Sequence, residues 1–222
     1  GTFDGFLTAV FVAYDMKYND VTIVRETLFQ EAIFGITEHV LTDKIKADRV
    51  WNGFKKKVKP NERYRFYYAF LSEYPSVENT LLKAMQYIFS TNDHVASDFT
   101  HSPTLAVSKL AKNVSREKHR MEAFVRFKLT KDNIYFANIA PDFNVLPLII
   151  KHFKSRYADQ QWLIYDLKRN YGIYYNLDKV TVVQLEFDTS FDPTKTTSEM
   201  FAPIVDNYFN CISCKIYNVM SK

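Results

Sequence analysis

The sequence predicts an α+β fold, in which a helical N-terminal half packs with a mostly antiparallel C-terminal sheet and a C-terminal helix. Two observations lead to this prediction. Apolar residues repeat at helical spacing through most of residues 3–120, and they alternate at strand spacing through most of residues 123–187. We expect one compact domain over residues 1–222, with lobes at 1–121 and 122–222 as the alternative division.

The N-terminal half contains a series of amphipathic helices. The first covers residues 3–16, where apolar side chains recur every three or four positions. A weakly alternating stretch at 36–41 predicts a short strand. Thr42 or Asp43 is expected to cap the next helix, which Pro60 ends. Further helices are predicted at 61–73, 76–90 and about 103–120.

The C-terminal half changes to strand periodicity. Two strands joined by Lys131, Asp132 and Asn133 form a predicted hairpin. A helix follows at 145–157, with Asn144 as its expected cap. The predicted strands are 123–130, 133–140, 161–167, 172–177 and 179–187, and a last helix is predicted at 195–217.

Positive charge is concentrated in one part of the chain. Residues 105–170 hold 13 lysines and arginines against 6 aspartates and glutamates, although the whole chain has a net charge of only +4. Such a local excess indicates an anionic partner. The helix over 103–120 has a core stripe on one side and a basic ridge on the other, with His119 at the edge of the ridge. The ridge consists of Lys109, Lys112, Arg116 and Arg120.

This ridge has two interpretations. The simpler one is a solvated surface. In the other, Arg126 on the following strand joins the ridge at one end of the sheet, and the gathered guanidinium groups bind phosphate or another anion. Glu117 or Glu122 could take up part of this charge in internal salt bridges.

A second group of candidate residues lies on and before the helix at 145–157. His152 and Arg156 sit one turn apart at the edge of its apolar arc. His152 is either a histidine satisfied by a backbone carbonyl or a functional residue, acting as a general acid or base or as a phosphate contact. Arg156 is expected to bind phosphate. Asp142, just before the helix, is a capping residue, a base or a metal ligand. If His152 and Arg156 form a functional pair, we expect them to face the same cavity as the basic junction, which we define as residues Arg116 to Arg126.

No cofactor or metal site is predicted. Cys211 and Cys214 have CxxC spacing, but no second ligand pair exists, so we interpret them as packing residues of the last helix. The glycine-rich, serine-nucleophile and zinc-protease motifs are absent. The three-cysteine motif of radical-SAM enzymes is also absent, so any radical chemistry would belong to a partner.

Six stretches occur in an order typical of one bacterial family. They are "GTFDGFLTAVFVAY", "TDKIKADRV", "AFLSE", "REKHRMEAFVRF", "PDFNVLPLIIKHFKSRY" and "QWLIYDLKRNYGIYY". The chain resembles the "probable DNA metabolism protein" family, a domain of unknown function found beside a putative DNA-repair radical-SAM protein. In some bacteria this domain is fused to a uracil-DNA-glycosylase-like domain. The resemblance implies both proteins as partners, and its last block adds Lys168 and Arg169 to the expected phosphate-binding residues.

Three functions follow as hypotheses. The leading one is an accessory protein of DNA metabolism or repair that binds DNA or a nucleotide at the basic junction and acts with a radical-SAM partner. The first alternative is a nuclease or base-processing hydrolase that uses His119 and His152. The second is a protein–protein scaffold without catalytic activity. We expect a cytoplasmic protein that does not associate with membranes, because cysteines are few and no apolar run approaches the roughly 20 residues that span a bilayer.

Overall fold

The structure, a computed structural model, describes residues 2–18, 20–25, 36–91, 93–185, 201–202 and 214–218. The chain divides into two compact units. Unit 1 comprises Gly1–Lys112 and Asn207–Lys222, and unit 2 comprises Asn113–Asp206. Both ends of the chain therefore belong to unit 1.

The described residues confirm the α+β class. The helices are α1 (Phe3–Asp15), α2 (Lys44–Lys57), α3 (Pro60–Leu71), α4 (Val77–Ser90), α5 (Ser102–Phe124) and α6 (Leu146–Arg156). The strands are β1 (Val21–Arg25), β2 (Ile36–Val40), β3 (Lys128–Leu129), β4 (Tyr135–Ile139), β5 (Trp162–Asp166), β6 (Tyr171–Tyr175), β7 (Val180–Leu185), β8 (Phe201–Ala202) and β9 (Cys214–Asn218).

Unit 1 is built on the packing of α1 against α2. Phe6 and Val10 of α1 are completely buried, as the helical spacing predicts. The predicted cap of α2 is confirmed at Asp43, whose carboxylate accepts hydrogen bonds from the backbone N–H groups of Ile45 and Lys46. The side-chain hydroxyl of Thr8 donates to the carbonyl of Asp4 and accepts from the N–H of Asp43, which ties the two helices together.

The predicted helix at 195–217 is wrong where it can be compared. Residues 201–202 form β8 and residues 214–218 form β9, while the remainder of that range, including Cys211, lies outside the described residues. β9 lies between β1 and β2 and is antiparallel to both. Pairing on both sides satisfies its backbone groups, which outweighs a local helical pattern. Cys214 is thus a strand residue.

Unit 2 is a sheet with α6 packed on one face. The strand order is β3-β4-β5-β6-β7-β8, and every neighbouring pair is antiparallel except β4 and β5, which are parallel. Helix α6 connects this parallel pair, as such a crossover requires. Its buried Leu146, Ile149 and Phe153 pack on a core that includes Trp162 and Ile164.

The start of α6 differs from the prediction by one residue. The N-terminal flanking residue of the helix is Val145, and no side chain caps it. Asn144, the expected cap, instead accepts a hydrogen bond from the hydroxyl of Tyr171 through its side-chain oxygen. A polar side chain that finds a partner on a neighbouring strand is not free to cap the helix.

The junction between α5 and the sheet differs from the prediction. Helix α5 continues to Phe124, and β3 is confined to Lys128–Leu129, so Arg126 lies in a connection and not on a strand. Its guanidinium donates to the backbone carbonyls of Ala123 and Val125. The last carbonyls of a helix lack intrahelical partners, and an arginine that follows the helix can satisfy them.

Candidate functional site

A buried carboxylate organises the basic surface of unit 2. The side chain of Glu117 on α5 is only 6% exposed. Its Oε2 accepts a hydrogen bond from Nη1 of Arg120 at 2.7 Å, and its Oε1 accepts one from the backbone N–H of Asp142 at 3.1 Å. Glu117 therefore links α5 to the loop before α6 and holds Arg120, whose side chain is 62% exposed, in one position.

A second carboxylate, about one and a half turns further along α5, gathers two histidines. Lys118 Nζ lies 2.6 Å from Oε1 of Glu122, and His119 Nδ1 lies 3.3 Å from its Oε2. His152 Nδ1 approaches Oε1 of the same side chain from α6, at 4.0 Å. His119 and His152 thus lie beside one carboxylate, at the contact between α5 and α6.

His152 is not held by a backbone carbonyl, as the simpler interpretation required. Its Nδ1 faces Glu122, and its Nε2 is buried without a hydrogen-bond partner among the described residues. Its ring packs edge-on against Phe153, with the centroids 5.0 Å apart. The His152 ring therefore lies between the Glu122 carboxylate and Phe153, at the contact of α6 with α5.

The turn between β5 and β6 contributes a third set of ion pairs. Lys168 Nζ donates to Oδ1 of Asp142 at 2.7 Å. Arg169 donates from Nη1 to the fully buried carboxylate of Asp166 at 2.9 Å and from Nη2 to the backbone carbonyl of Asp142 at 3.1 Å. Because of the Lys168 hydrogen bond and charge, and secondarily Arg120 and Arg169, the pKa of Asp142 lies below its usual range. Asp142 is therefore a weaker base than an ordinary aspartate.

The other predicted cations have no carboxylate partner in the described part of the chain. Arg116 is exposed on α5 without an ion pair. Arg156 is exposed, with its guanidinium 5.8 Å from the centre of the Tyr157 ring. It is not among the described side chains that pair with Glu122, which are Lys118, His119 and His152. Lys109 and Lys112 are exposed on the part of α5 that belongs to unit 1.

The comparisons with known proteins identify the domain that carries these groups. Residues 75–217 match the family described as Domain of unknown function (DUF4130), which is more than half of the chain. The chain belongs to this family. No curated protein and no solved structure matches it. The matched residues of the DUF4130 domain include all of unit 2 and hence all three groups of ion pairs.

The DUF4130 domain contains two functional candidates that the sequence pattern did not single out as site residues. Glu117 and Glu122 were expected only as alternative salt-bridge partners, and that alternative is confirmed. The signal for them was present, because both acids interrupt the basic run "REKHRME". Charge spacing along a helix shows which side chains are near each other, but it does not show that buried Glu117 accepts a hydrogen bond from Asp142, 25 residues away.

The acidic side chains of these groups pair with cations and are not arranged as metal ligands in the described residues. Within the residues that the structure describes, no three histidine, cysteine, aspartate or glutamate side chains are grouped so that they could hold a metal ion. The carboxylates instead bind arginine and lysine side chains of the same domain.

No described helix is long and apolar enough to cross a lipid bilayer.

Proposed function

We propose that this DUF4130 domain is an accessory protein of DNA metabolism that binds the phosphate backbone through Arg116, Arg120 and Arg126. The observation that carries the proposal is the state of Arg120. One of its N–H groups is bonded to buried Glu117, while the side chain as a whole is 62% exposed. Such an arginine retains donors for a phosphate and is already ordered before binding.

The neighbouring arginines extend this surface. Arg116 lies one turn before Arg120 on α5 and is exposed, and Arg126 is exposed with its guanidinium fixed on two carbonyls. An ordered arginine loses less side-chain entropy when it binds a ligand than a freely moving one. None of the three arginines has all of its N–H donors occupied by described protein groups. Three such cations favour a ligand with repeated phosphates over a single small anion.

The resemblance to the DNA metabolism family supports an accessory role. Members of that family occur beside a putative DNA-repair radical-SAM protein, and we infer that such a protein supplies the chemistry. The DUF4130 domain would then contribute affinity for the nucleic acid, with a uracil-DNA-glycosylase-like protein as a further partner.

The test is a salt titration of DNA binding. In the triple variant Arg116→Ala, Arg120→Ala, Arg126→Ala, affinity should fall and the slope of log K against log salt should decrease by about 0.9 for each phosphate that the variant no longer neutralises. The matched control is Lys83→Ala, Lys131→Ala, Lys151→Ala, which removes the same charge from three exposed positions elsewhere. Circular dichroism should show that both variants are folded.

The outcomes separate the three hypotheses. Equal slopes in the triple variant and the control would exclude the three arginines as the footprint. Cleavage of the DNA during the titration, abolished in His152→Ala, would favour the hydrolase. Absence of DNA binding by the parent, together with binding of the purified radical-SAM protein, would favour the scaffold.

A further inference from the structure

Unit 1 contains a pocket that no part of the proposed function uses. Its volume is about 380 Å³, within the range of small-molecule sites. It opens among α1, α2 and α4, and its lining includes Phe11, Tyr14, Asp15, Arg49, Gly53 and Phe89. Three aromatic rings, one cation and one carboxylate thus meet around one space.

The aromatic side chains leave a stacking surface open to solvent. Tyr14 is 47% exposed, although it packs edge to face with Phe89, with the ring centres 5.9 Å apart. Phe11 has the Arg49 guanidinium 5.5 Å and the Lys46 ammonium 5.7 Å from its ring centre. Exposed aromatic faces beside cations are the elements from which proteins build sites for unstacked nucleobases.

Gly53 keeps this pocket open at a cost to the helix. It lies in the middle of α2, where glycine is less favourable than alanine. Packing does not require it, because an added Cβ would meet only Phe89, at the ordinary van der Waals distance of 4.0 Å. An alanine would therefore fit at this position, and its absence leaves the space beside Phe89 to the pocket.

The helix on one side of the pocket, α2, is strongly basic. Residues 44–59 hold seven lysines and arginines against one aspartate, a denser excess than that of residues 105–170. Lys46, Arg49 and Lys56 share the face of α2 that carries Gly53, since successive members of this set lie three or four residues apart. A nucleotide fits both features, because its base is planar and its phosphate is anionic.

We propose that the pocket binds one unstacked nucleotide, either free or within a single strand. The base stacks on Tyr14, Asp15 accepts a hydrogen bond from an exocyclic amino group, and Arg49 with Lys46 holds the phosphate. This inference rests on the proposed nucleic-acid binding for the class of ligand, and it adds the form of nucleic acid that unit 1 selects.

Two pocket variants of the full chain test this proposal. Tyr14→Ala removes the stacking surface, and Gly53→Leu fills the pocket. The control is Tyr74→Ala, which removes a tyrosine that is 61% exposed and does not line the pocket. The probes are a fluorescent oligo-dC of about 12 nucleotides, within the site size of a single-strand binding groove, the same strand in a duplex, and free CMP and AMP.

Each pocket variant should weaken binding of the single strand about tenfold, the effect of removing one stacked base, and leave duplex binding unchanged. Thermal denaturation confirms that the variants are folded, and Gly53→Ala gives a milder filling variant if Gly53→Leu is not. CMP that competes with the strand identifies a free nucleotide as sufficient, whereas competition by longer strands alone identifies strand binding.

Failure of this proposal and failure of the proposed function look different. If Tyr14→Ala binds the single strand as tightly as Tyr74→Ala does, the pocket proposal is wrong, whatever the triple arginine variant does. If the pocket variants lose single-strand affinity while the triple variant keeps it, the pocket stands and the arginine footprint fails. A parent that binds neither the single strand, nor the duplex, nor a free nucleotide excludes both.

Discussion

At the scale of single residues, Glu117 determines the position of the exposed arginine on which the proposed function depends. A carboxylate in the middle of a basic run would ordinarily be interpreted as surface charge. In the structure its side chain is 6% exposed and bonded to both Arg120 and the backbone of Asp142. The burial of Glu117 costs free energy that the two hydrogen bonds offset. Glu117 therefore both stabilises the fold and holds Arg120 in position.

Glu117→Ala should lower the free energy of unfolding by about 1.5–3 kcal/mol, because it leaves the N–H of Asp142 unpaired and removes a hydrogen bond to a charged group. Denaturant titration measures this change. The matched control is Asp159→Ala, an exposed acid, which should change stability by less than about 0.5 kcal/mol. Equal stabilities of the two variants would contradict the structural role of Glu117.

Asp142 should respond to removal of Lys168. The hydrogen bond and charge of Lys168 are the first causes of its lowered pKa. Because the folded-state pKa is lowered, this interaction stabilises the fold above the ordinary aspartate pKa and is lost as the pH falls through the folded-state pKa. Lys168→Met should move the pKa of Asp142 up towards its ordinary value in a carbon-detected NMR titration.

Lys151→Met is the control for that titration, because it removes the same charge from a lysine that does not act on Asp142. A pKa of Asp142 that is the same in both variants would show that Lys168 is not the cause. The residual lowering in Lys168→Met should come from Arg120 and Arg169, whose charges act on the same carboxyl.

At the scale of secondary-structure elements, two placements decide which groups meet. Helix α5 is bound on one side to the loop at Asp142 through Glu117 and on another to α6 through Glu122 and His152. Strand β9 lies between β1 and β2, although it is far from both in the sequence. The contacts of α5 hold Arg120 in position in the proposed site, and β9 joins β1 and β2 into one sheet.

The central place of β9 predicts a large effect of proline at position 216. Ile216 is in register with Ile23 on one side and Glu38 on the other, so its backbone lies within two ladders. Ile216→Pro removes an N–H from the sheet and should destabilise unit 1 by about 2 kcal/mol or more. Ile216→Val keeps the N–H and is the control. Hydrogen exchange should show faster exchange in β1 and β2 of the proline variant alone.

At the scale of the whole molecule, the two units differ in the side chains that they expose. Unit 2 presents arginines ordered by buried carboxylates, and unit 1 has an aromatic pocket beside a basic helix. Unit 1 is also assembled from both ends of the chain, because Asn207–Lys222 belongs to it. The family match begins at residue 75 and so includes all of unit 2 but excludes α1, α2 and α3.

The sequence by itself determined the elements whose signal is local. The apolar spacing of α1 and α6, the Asp43 cap and the hairpin at 131–133 were all predicted and confirmed. These features depend on interactions between residues that are close along the chain, where periodicity and capping chemistry are sufficient. The excess of positive charge was equally visible, because it needs only a count.

Only the tertiary structure decided which residues from distant parts of the chain meet. The sequence could not show that Glu117 meets the backbone of Asp142, that His119 and His152 share Glu122, or that residues 214–218 complete the sheet of β1 and β2. Each of these depends on partners from distant parts of the chain. A free backbone edge or a buried charge gains its stability from such a partner, and that gain outweighs the local preference of a short segment.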